Sequence, residues 1–399
     1  MFTMTKDQRK ALLLLLTGRN AFVSGGGGVG KTTLIHCYVS ECRKRGKKVL
    51  LSAPTGVAAS LIGGKTIHSA LHLPIDLDKA DCASVIEILK EFDVIIIDEI
   101  SMVSARMFTF LATCLARIPK NIQLVVLGDF YQLPPVKAGY AFMTNEWQKM
   151  HFATCILEEV VRQADSSLIH NLNLARIGDG SCIDYFNQNS SKLPIEGSIY
   201  LCARRKEAKA INDRYMDKLP GSSKTYIGRC NKLVNESELR VDMKLELKVG
   251  MRVMSVINDP YHRYQNGSCG VIRELAEEYV VVHFDNGVSE KLCFHKFEVC
   301  AKNGEDAVFW QLPLLPAYAI TIHKSQGQTF EAVNIVGDCW EKGQLYVALS
   351  RAKSIDGVYL QKPIEQKHLQ VSKKVNKFYA QILGAQEGCR LDFATLCVS

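Results

Sequence analysis

Gly25-Gly26-Gly27-Gly28-Val29-Gly30-Lys31-Thr32 fits the pattern GxxxxGK[ST] at every position. The pattern calls for phosphate: glycines let backbone N–H groups close on its oxygens, and a helix beginning at the lysine adds its positive end. Lys31 would reach the β and γ phosphates of a nucleotide, the Thr32 hydroxyl would hold Mg²⁺, and Thr33 would complete the nucleotide-binding loop. A partner lies downstream, where the apolar run Val94-Ile95-Ile96-Ile97 ends in Asp98-Glu99. Asp98 would bind the metal, and Glu99 would orient and deprotonate an attacking water. Two carboxylates after an apolar run are common in isolation. Together with a phosphate loop they make hydrolysis of a nucleoside triphosphate the expected chemistry.

These groups act together only if strands deliver them to one edge. From residue 20 the chain repeats strand, loop, helix: Asn20–Ser24, a helix over 31–45, then strands Lys48–Ala53, Val94–Ile97 and Gln123–Leu127. Each run is short, unalternating and β-branched, the texture of strands buried on both faces of a parallel sheet. Ahead of them, Thr5-Lys6-Asp7-Gln8 reads as a capping box opening a helix. A second α/β pattern starts at Ile199–Ala203 and a helix over 206–218. Hairpin texture then interrupts it: Met251–Val256, Gly270–Leu275, Tyr279–Phe284 and Ser289–Phe294. The expected fold is α/β, with two parallel-sheet lobes and a small β-barrel inserted in the second. The first lobe spans 1–160, with a small wedge insertion near 70–82; the second spans 161–224 and 313–399; the barrel spans 225–312. The lysine-rich stretch from Lys362 to Lys377 reads as a solvated helix face.

Composition narrows the class. Apolar residues make up 47% and charged residues 23%, which excludes wholesale disorder. No apolar run reaches the roughly 18 residues of a membrane span, and Ala11–Leu16 is too short for a signal peptide. The 14 cysteines contain no CxxC pair, which argues against a zinc ribbon or disulfide scaffold and for reduced thiols in the cytoplasm. A net charge of +8 is compatible with a polyanionic partner.

Three later segments carry a resemblance: Gly128-Asp129-Phe130-Tyr131-Gln132-Leu133-Pro134-Pro135-Val136, the run from Ile320 to Phe330, and Leu345-Tyr346-Val347-Ala348-Leu349-Ser350-Arg351-Ala352. With the phosphate loop they resemble the ordered motifs of superfamily-one helicases. Ala53-Pro54-Thr55-Gly56, Gly63-Gly64-Lys65-Thr66-Ile67-His68-Ser69 and Asp98-Glu99-Ile100-Ser101-Met102 narrow the resemblance to the PIF (petite integration frequency) family, relatives of the RecD-like helicases. It runs from Gln8 to about Leu360. The resemblance implies two RecA-like lobes with ATP and Mg²⁺ between them and single-stranded or forked DNA across both. It also implies 5′ to 3′ movement and work in DNA repair, recombination or replication and telomere-type maintenance; a cytoplasmic, nucleoid-associated monomer is the default expectation.

Carried over by motif, Gln8 would recognise adenine, while its place in the capping box is an equal and compatible role. Gln132 would sense the γ-phosphate, Gly327 would approach it through the backbone, and Arg162 and Arg351 would be arginine fingers. Pro54, Thr55, Gly56, Thr66 and His68 would line the strand in the first lobe, and Thr321, His323, Lys324 and Ser325 in the second. Hydroxyls, amides and a few cations suit phosphate contacts that ignore base sequence. His68 and His72 have metal-ligand spacing but no evident third ligand. Tyr261, His262 and Tyr264 could stack on bases or sit in an ordinary loop. The phosphate loop departs from the family's usual alanine and threonine, the stretch after Met102 follows the family signature only loosely, and the first motif begins at residue 8; together these favour a compact bacterial or phage-like form. Two other readings stay open: a helicase subunit of a recombination nuclease, and a nucleotide-switched binding protein.

Overall fold

The computed structural model describes residues 4–74, 76–161, 165–236, 239–261, 263–302 and 305–396. Arg162, Gln163 and His262 lie outside them. Strands β1 (Ala21–Gly25), β2 (Val49–Ala53), β3 (Lys65–Thr66), β4 (Val94–Ile97), β5 (Gln123–Gly128) and β6 (Ala153–Leu157) form one sheet in the order β3-β2-β4-β5-β1-β6. Every pairing in it is parallel. The unalternating β4 run has a simple cause. Val94 and Ile96 enter the apolar layer on one face, and Ile95 and Ile97 enter the layer on the other. Each such side chain, once buried, contributes roughly 1.5–3 kcal/mol.

The second parallel sheet is formed by β7 (Ile199–Cys202) and three strands from beyond the insertion. The insertion supplies β8 (Lys224–Ile227), β9 (Arg229–Cys230), β10 (Lys244–Leu247), β11 (Arg252–Ser255), β12 (Cys269–Leu275), β13 (Tyr279–Phe284), β14 (Ser289–Cys293), β15 (His295–Cys300), β16 (Asp306–Gln311) and β17 (Leu314–Pro316). After it come β18 (Ala319–Thr321), β19 (Val333–Val336) and β20 (Val358–Leu360), which give the order β18-β7-β19-β20. The inserted strands pair antiparallel as β14-β13-β12-β11-β17, β15-β16-β9 and β10-β8. Among the described residues these sheets do not close on one another as the expected barrel would. Their apolar sides run into the core of the second lobe without a break, so the insertion shares that core.

The C-terminal helix Lys373–Leu396 also departs from expectation. Lys373, Lys374 and Lys377 are exposed as expected, but Val375 and Tyr379 between them are buried in the first lobe's core. Phe378 stacks on Phe142 with ring centroids 4.3 Å apart. A lysine count reports one helix face and misses the apolar stripe on the other. No described helix is long and apolar enough to cross a membrane.

Candidate nucleotide site and strand path

The phosphate loop leaves the C-terminal end of β1 and turns into the helix Lys31–Lys44 at Gly30, whose φ is +79°. A Cβ there would lie 2.2 Å from the Gln8 side chain, so the position admits only glycine. Gln8 is fully buried and ties the first helix to the phosphate loop. It closes the capping box with Thr5, and its Nε2 donates to the Val29 carbonyl at 3.1 Å. Lys31 Nζ donates to the carbonyls of Gly25 and Gly26 at 2.7 and 2.9 Å. Burial holds its pKa below the ordinary lysine value, opposed by the negative charges of Glu99, Asp129 and Asp98.

Asp98 and Glu99 follow β4 and are both buried. The Glu99 amide donates to Asp98 Oδ1 at 2.9 Å, and Glu99 takes a φ of +51°, strained for a residue with a side chain. The turn fits because Gly128 packs behind it: a Cβ at 128 would meet the Ile100 nitrogen at 2.9 Å. Burial, and then the Glu99 charge, push the Asp98 carboxyl up to about 7, with Lys31 opposing. Thr32 and Asp98 offer a hydroxyl and a carboxylate, the oxygen donors that suit Mg²⁺.

The second lobe reaches into this site. Arg351, on the turn after the helix Gln344–Leu349, is 1% exposed. Its Nε donates to the Val347 carbonyl at 2.9 Å, Nη1 to those of Gln328 and Ser325 at 2.9 and 3.4 Å, and Nη2 to Ser350 Oγ at 2.8 Å. A Cβ placed on Gly27 would lie 3.3 Å from Nη2, so the guanidinium already borders the phosphate loop. Tyr346 comes closer still, its hydroxyl accepting from the Gly27 amide at 2.8 Å across 319 positions of chain.

Sequence reasoning missed three participants. Arg176, near the end of the helix Ser166–Ile177, forms a two-pronged ion pair with fully buried Asp129 at 2.8 and 2.9 Å. Burial works against the Arg176 charge, but Asp129 outweighs it and raises the pKa above the ordinary arginine value. Its guanidinium also lies over the stacked rings of Tyr131 and Tyr379. Tyr379 is the second participant; its hydroxyl sits 2.6 Å from Ser24 Oγ, just before the phosphate loop. The third is Gln326, whose Nε2 donates to Glu99 Oε2 at 3.0 Å. Asp129 and Gln326 lay in quoted motifs, yet nothing in the chain's order could match either to its partner.

The strand candidates share a local device. Thr66 and Thr321 end β3 and β18, Thr55 lies two residues beyond β2, and each hydroxyl accepts from the amide three residues on. Such a hydroxyl keeps its own proton free to donate to a phosphate. Pro54 precedes Thr55 on the same edge, and burial lowers the His68 pKa beneath the usual histidine range. His323 lies 3.0 Å from Glu341, and burial lowers the Lys324 pKa, with Asp242 opposing and Arg205 assisting. Two further candidates have local roles of their own. Ser325 is fully buried and donates its hydroxyl to the Ile322 carbonyl, so its side chain is spent on the turn. Gly327 packs towards the first lobe, where a Cβ would meet Leu61 at 2.7 Å. The insertion borders the path too, since Arg240 backs Gly56 and Lys65 pairs with Glu298 at 2.6 Å.

Residues 3–181 match the family model described as PIF1-like helicase, and residues 316–355 match the UvrD-like helicase C-terminal domain. A relative from Bdellovibrio bacteriovorus, the ATP-dependent DNA helicase Pif1, is 31% identical over 96% of this chain and 92% of its own. The chain belongs to the PIF1-like helicase family. It spans 64% of the Xenopus laevis PIF1 helicase at 32% identity. The Pif1 helicase of Candida albicans superposes with a TM-score of 0.82 at 28% identity, covering 96% of this chain and 100% of that one. A Bacteroides Pif1 helicase, solved with ADP-AlF3 and single-stranded DNA, gives 0.76 at 27% identity over 96% of this chain and 98% of its own. Membership of the PIF1-like family accounts for the α/β architecture with its RecA-like parallel-sheet core.

Proposed function

We propose that this chain is an ATP-dependent DNA helicase that moves 5′ to 3′ along single-stranded DNA and opens forked or structured duplex, in DNA repair, recombination or replication. The observation that carries the reading is the meeting of lobes at the phosphate loop: Arg351, Tyr346 and Gln326 of the second lobe contact or border a site built by the first. A switch protein has no need of that arrangement, whereas a motor that couples lobe closure to hydrolysis does. The Bacteroides relative bound to ADP-AlF3 and single-stranded DNA supports the same substrates here.

In this reading 1–160 forms the first lobe, with a wedge near 70–82. Residues 161–224 and 313–399 form the second lobe, and 225–312 make an insertion of antiparallel sheets on the strand path, completed at its borders by β8 and β17. Lys31 and the amides from Gly25 to Thr33 hold the triphosphate of ATP, while Gln8 faces the base. Thr32 and Asp98 hold Mg²⁺, which neutralises phosphate charge when bound. Glu99 takes a proton from water, Gln132 reports the γ-phosphate, and Arg162 and Arg351 stabilise charge on the transferring group. Pro54, Thr55, Gly56, Thr66, His68, Thr321, His323 and Lys324 contact the strand, Ser325 through its backbone alone. The protein works as a monomer on chromosomal DNA.

The test is ATP turnover with and without single-stranded DNA, beside unwinding of duplexes with 5′ or 3′ tails. Strong stimulation and unwinding from the 5′ tail alone are expected. A rate indifferent to DNA would return the protein to the switch class, and unwinding from the 3′ tail alone would reverse its direction.

A further inference from the structure

Gln326 joins the two halves of this machine at the hydrolytic carboxylate itself. It follows the turn Ile322–Ser325, which presents His323 and Lys324, and its own amide donates to the His323 carbonyl at 3.3 Å. Arg351 grips the chain on either side of it, through the carbonyls of Ser325 and Gln328. The side chain is 5% exposed. It crosses to the first lobe, where Nε2 donates to Glu99 Oε2 at 3.0 Å and reaches Gln132 Oε1 at 3.5 Å. Its Oε1 is buried with no hydrogen-bond partner among the described residues. A buried amide oxygen left unpaired is costly and suits a water molecule.

We propose that Gln326 is a positioning residue which passes strand occupancy to the hydrolytic carboxylate. Its donor end sets the Glu99 carboxylate and Gln132, and its acceptor end steadies the attacking water. The inference rests on the hydrolytic reading above. In the step concerned, the water oxygen bonds to the γ-phosphorus as the bond from phosphorus to the bridging oxygen breaks. ADP leaves and Glu99 takes the water proton. Gln326 gains and loses no atom; it fixes the angle between carboxylate and water. Because it hangs from the strand-facing turn, a shift of His323 and Lys324 on the strand moves it against Glu99.

The test compares Gln326→Met, similar in size but unable to donate or accept, with Gln326→Ala and Gln326→Glu. Single-turnover ATP hydrolysis with single-stranded DNA should fall about 10- to 100-fold in all three, the loss expected when a hydrogen bond to a charged group leaves a transition state. Affinities for ATP and for single-stranded DNA should stay within about twofold of the unsubstituted protein, since the residue touches neither in the ground state. In a double-mutant cycle with Glu99→Gln, the second change should add little, because Gln326 acts through that carboxylate. Wild-type turnover in Gln326→Met would reduce the residue to packing. Parallel loss of ATP affinity, or fully multiplicative losses in the cycle, would likewise overturn the proposal. Failure of the underlying reading shows elsewhere, as a wild-type rate that single-stranded DNA does not change.

Discussion

Replacing Arg351 with alanine asks whether a buried guanidinium is a catalytic finger or a strut. The structure gives it both tasks, and their sizes differ enough to separate. As a strut it serves the carbonyls of Val347, Gln328 and Ser325 and the Ser350 hydroxyl from a position 1% exposed. Leaving a buried acceptor unsatisfied costs about 1–3 kcal/mol, and local relaxation meets part of that. The variant should therefore melt a few degrees lower while remaining folded. As a finger its Nη2, 3.3 Å from a Cβ position on Gly27, neutralises charge on the γ-phosphoryl oxygens. That is worth roughly 10³–10⁵ in turnover, or about 4–7 kcal/mol of barrier. The assay is single-turnover hydrolysis with excess protein and saturating single-stranded DNA, beside equilibrium ATP binding and thermal unfolding. Arg351→Ala should lose at least a thousandfold in rate and keep most of its ATP affinity, because Lys31 and the loop amides belong to the first lobe. Arg351→Lys should rescue stability in part and rate hardly at all, since an ammonium cannot reproduce the planar fork. Near-normal turnover in a folded Arg351→Ala protein would refute the argument and leave the residue a strut alone.

The remaining predictions concern charge. Arg176→Ala strands fully buried Asp129 without its cation and should cost about 3–5 kcal/mol in urea unfolding, whereas Arg176→Met with Asp129→Asn should recover much of it; equal losses would mean that the uncompensated Asp129 charge is not the cause. The Asp98 carboxyl has a folded pKa of about 7 against an ordinary value of 3.8, so without metal its contribution is intact below pH 4 and lost as the pH rises to about 7. Asp98→Asn should accordingly match the unsubstituted protein at about pH 3 and exceed it increasingly as the pH rises to 8, by at most about 4 kcal/mol at 1.36 kcal/mol per pKa unit; a pH-independent difference in melting would contradict this. Binding of single-stranded DNA should weaken steeply with salt, and Lys324→Ala should reduce the log–log slope by about 0.7; an unchanged slope would remove Lys324 from the strand path.

Much of this molecule was legible without coordinates, because the legible parts are local. A phosphate loop needs glycines and a lysine in consecutive order between a strand and a helix, and the chain places them at Gly25–Lys31 between β1 and the helix Lys31–Lys44. Four strands of the first sheet, β1, β2, β4 and β5, were within a residue or so of their observed bounds, since burial on both faces forces an apolar run whatever the neighbours; the two edge strands, two-residue β3 and half-buried β6, carried no such run and were not anticipated. The Gln8 capping box was equally local, a hydrogen-bonded loop closed within one turn.

What the sequence left open depends on groups far apart in the chain. Its texture announced hairpins between β7 and β18, but whether they close into a barrel depends on which edges meet, and the described strands form three separate sheets. The lysines of the C-terminal helix were visible, while the docking of Val375 and Tyr379 on the first lobe required that lobe's surface. Arg176 reads as any helical arginine until folding sets it against Asp129, and Ser325 reads as a strand contact until its hydroxyl turns to Ile322. Gln326 lies 227 positions from Glu99, and only the packing of one lobe on the other brings amide to carboxylate. Residue order along the chain specifies which groups can do the chemistry, and the burial that drives the two sheets together decides which of them meet.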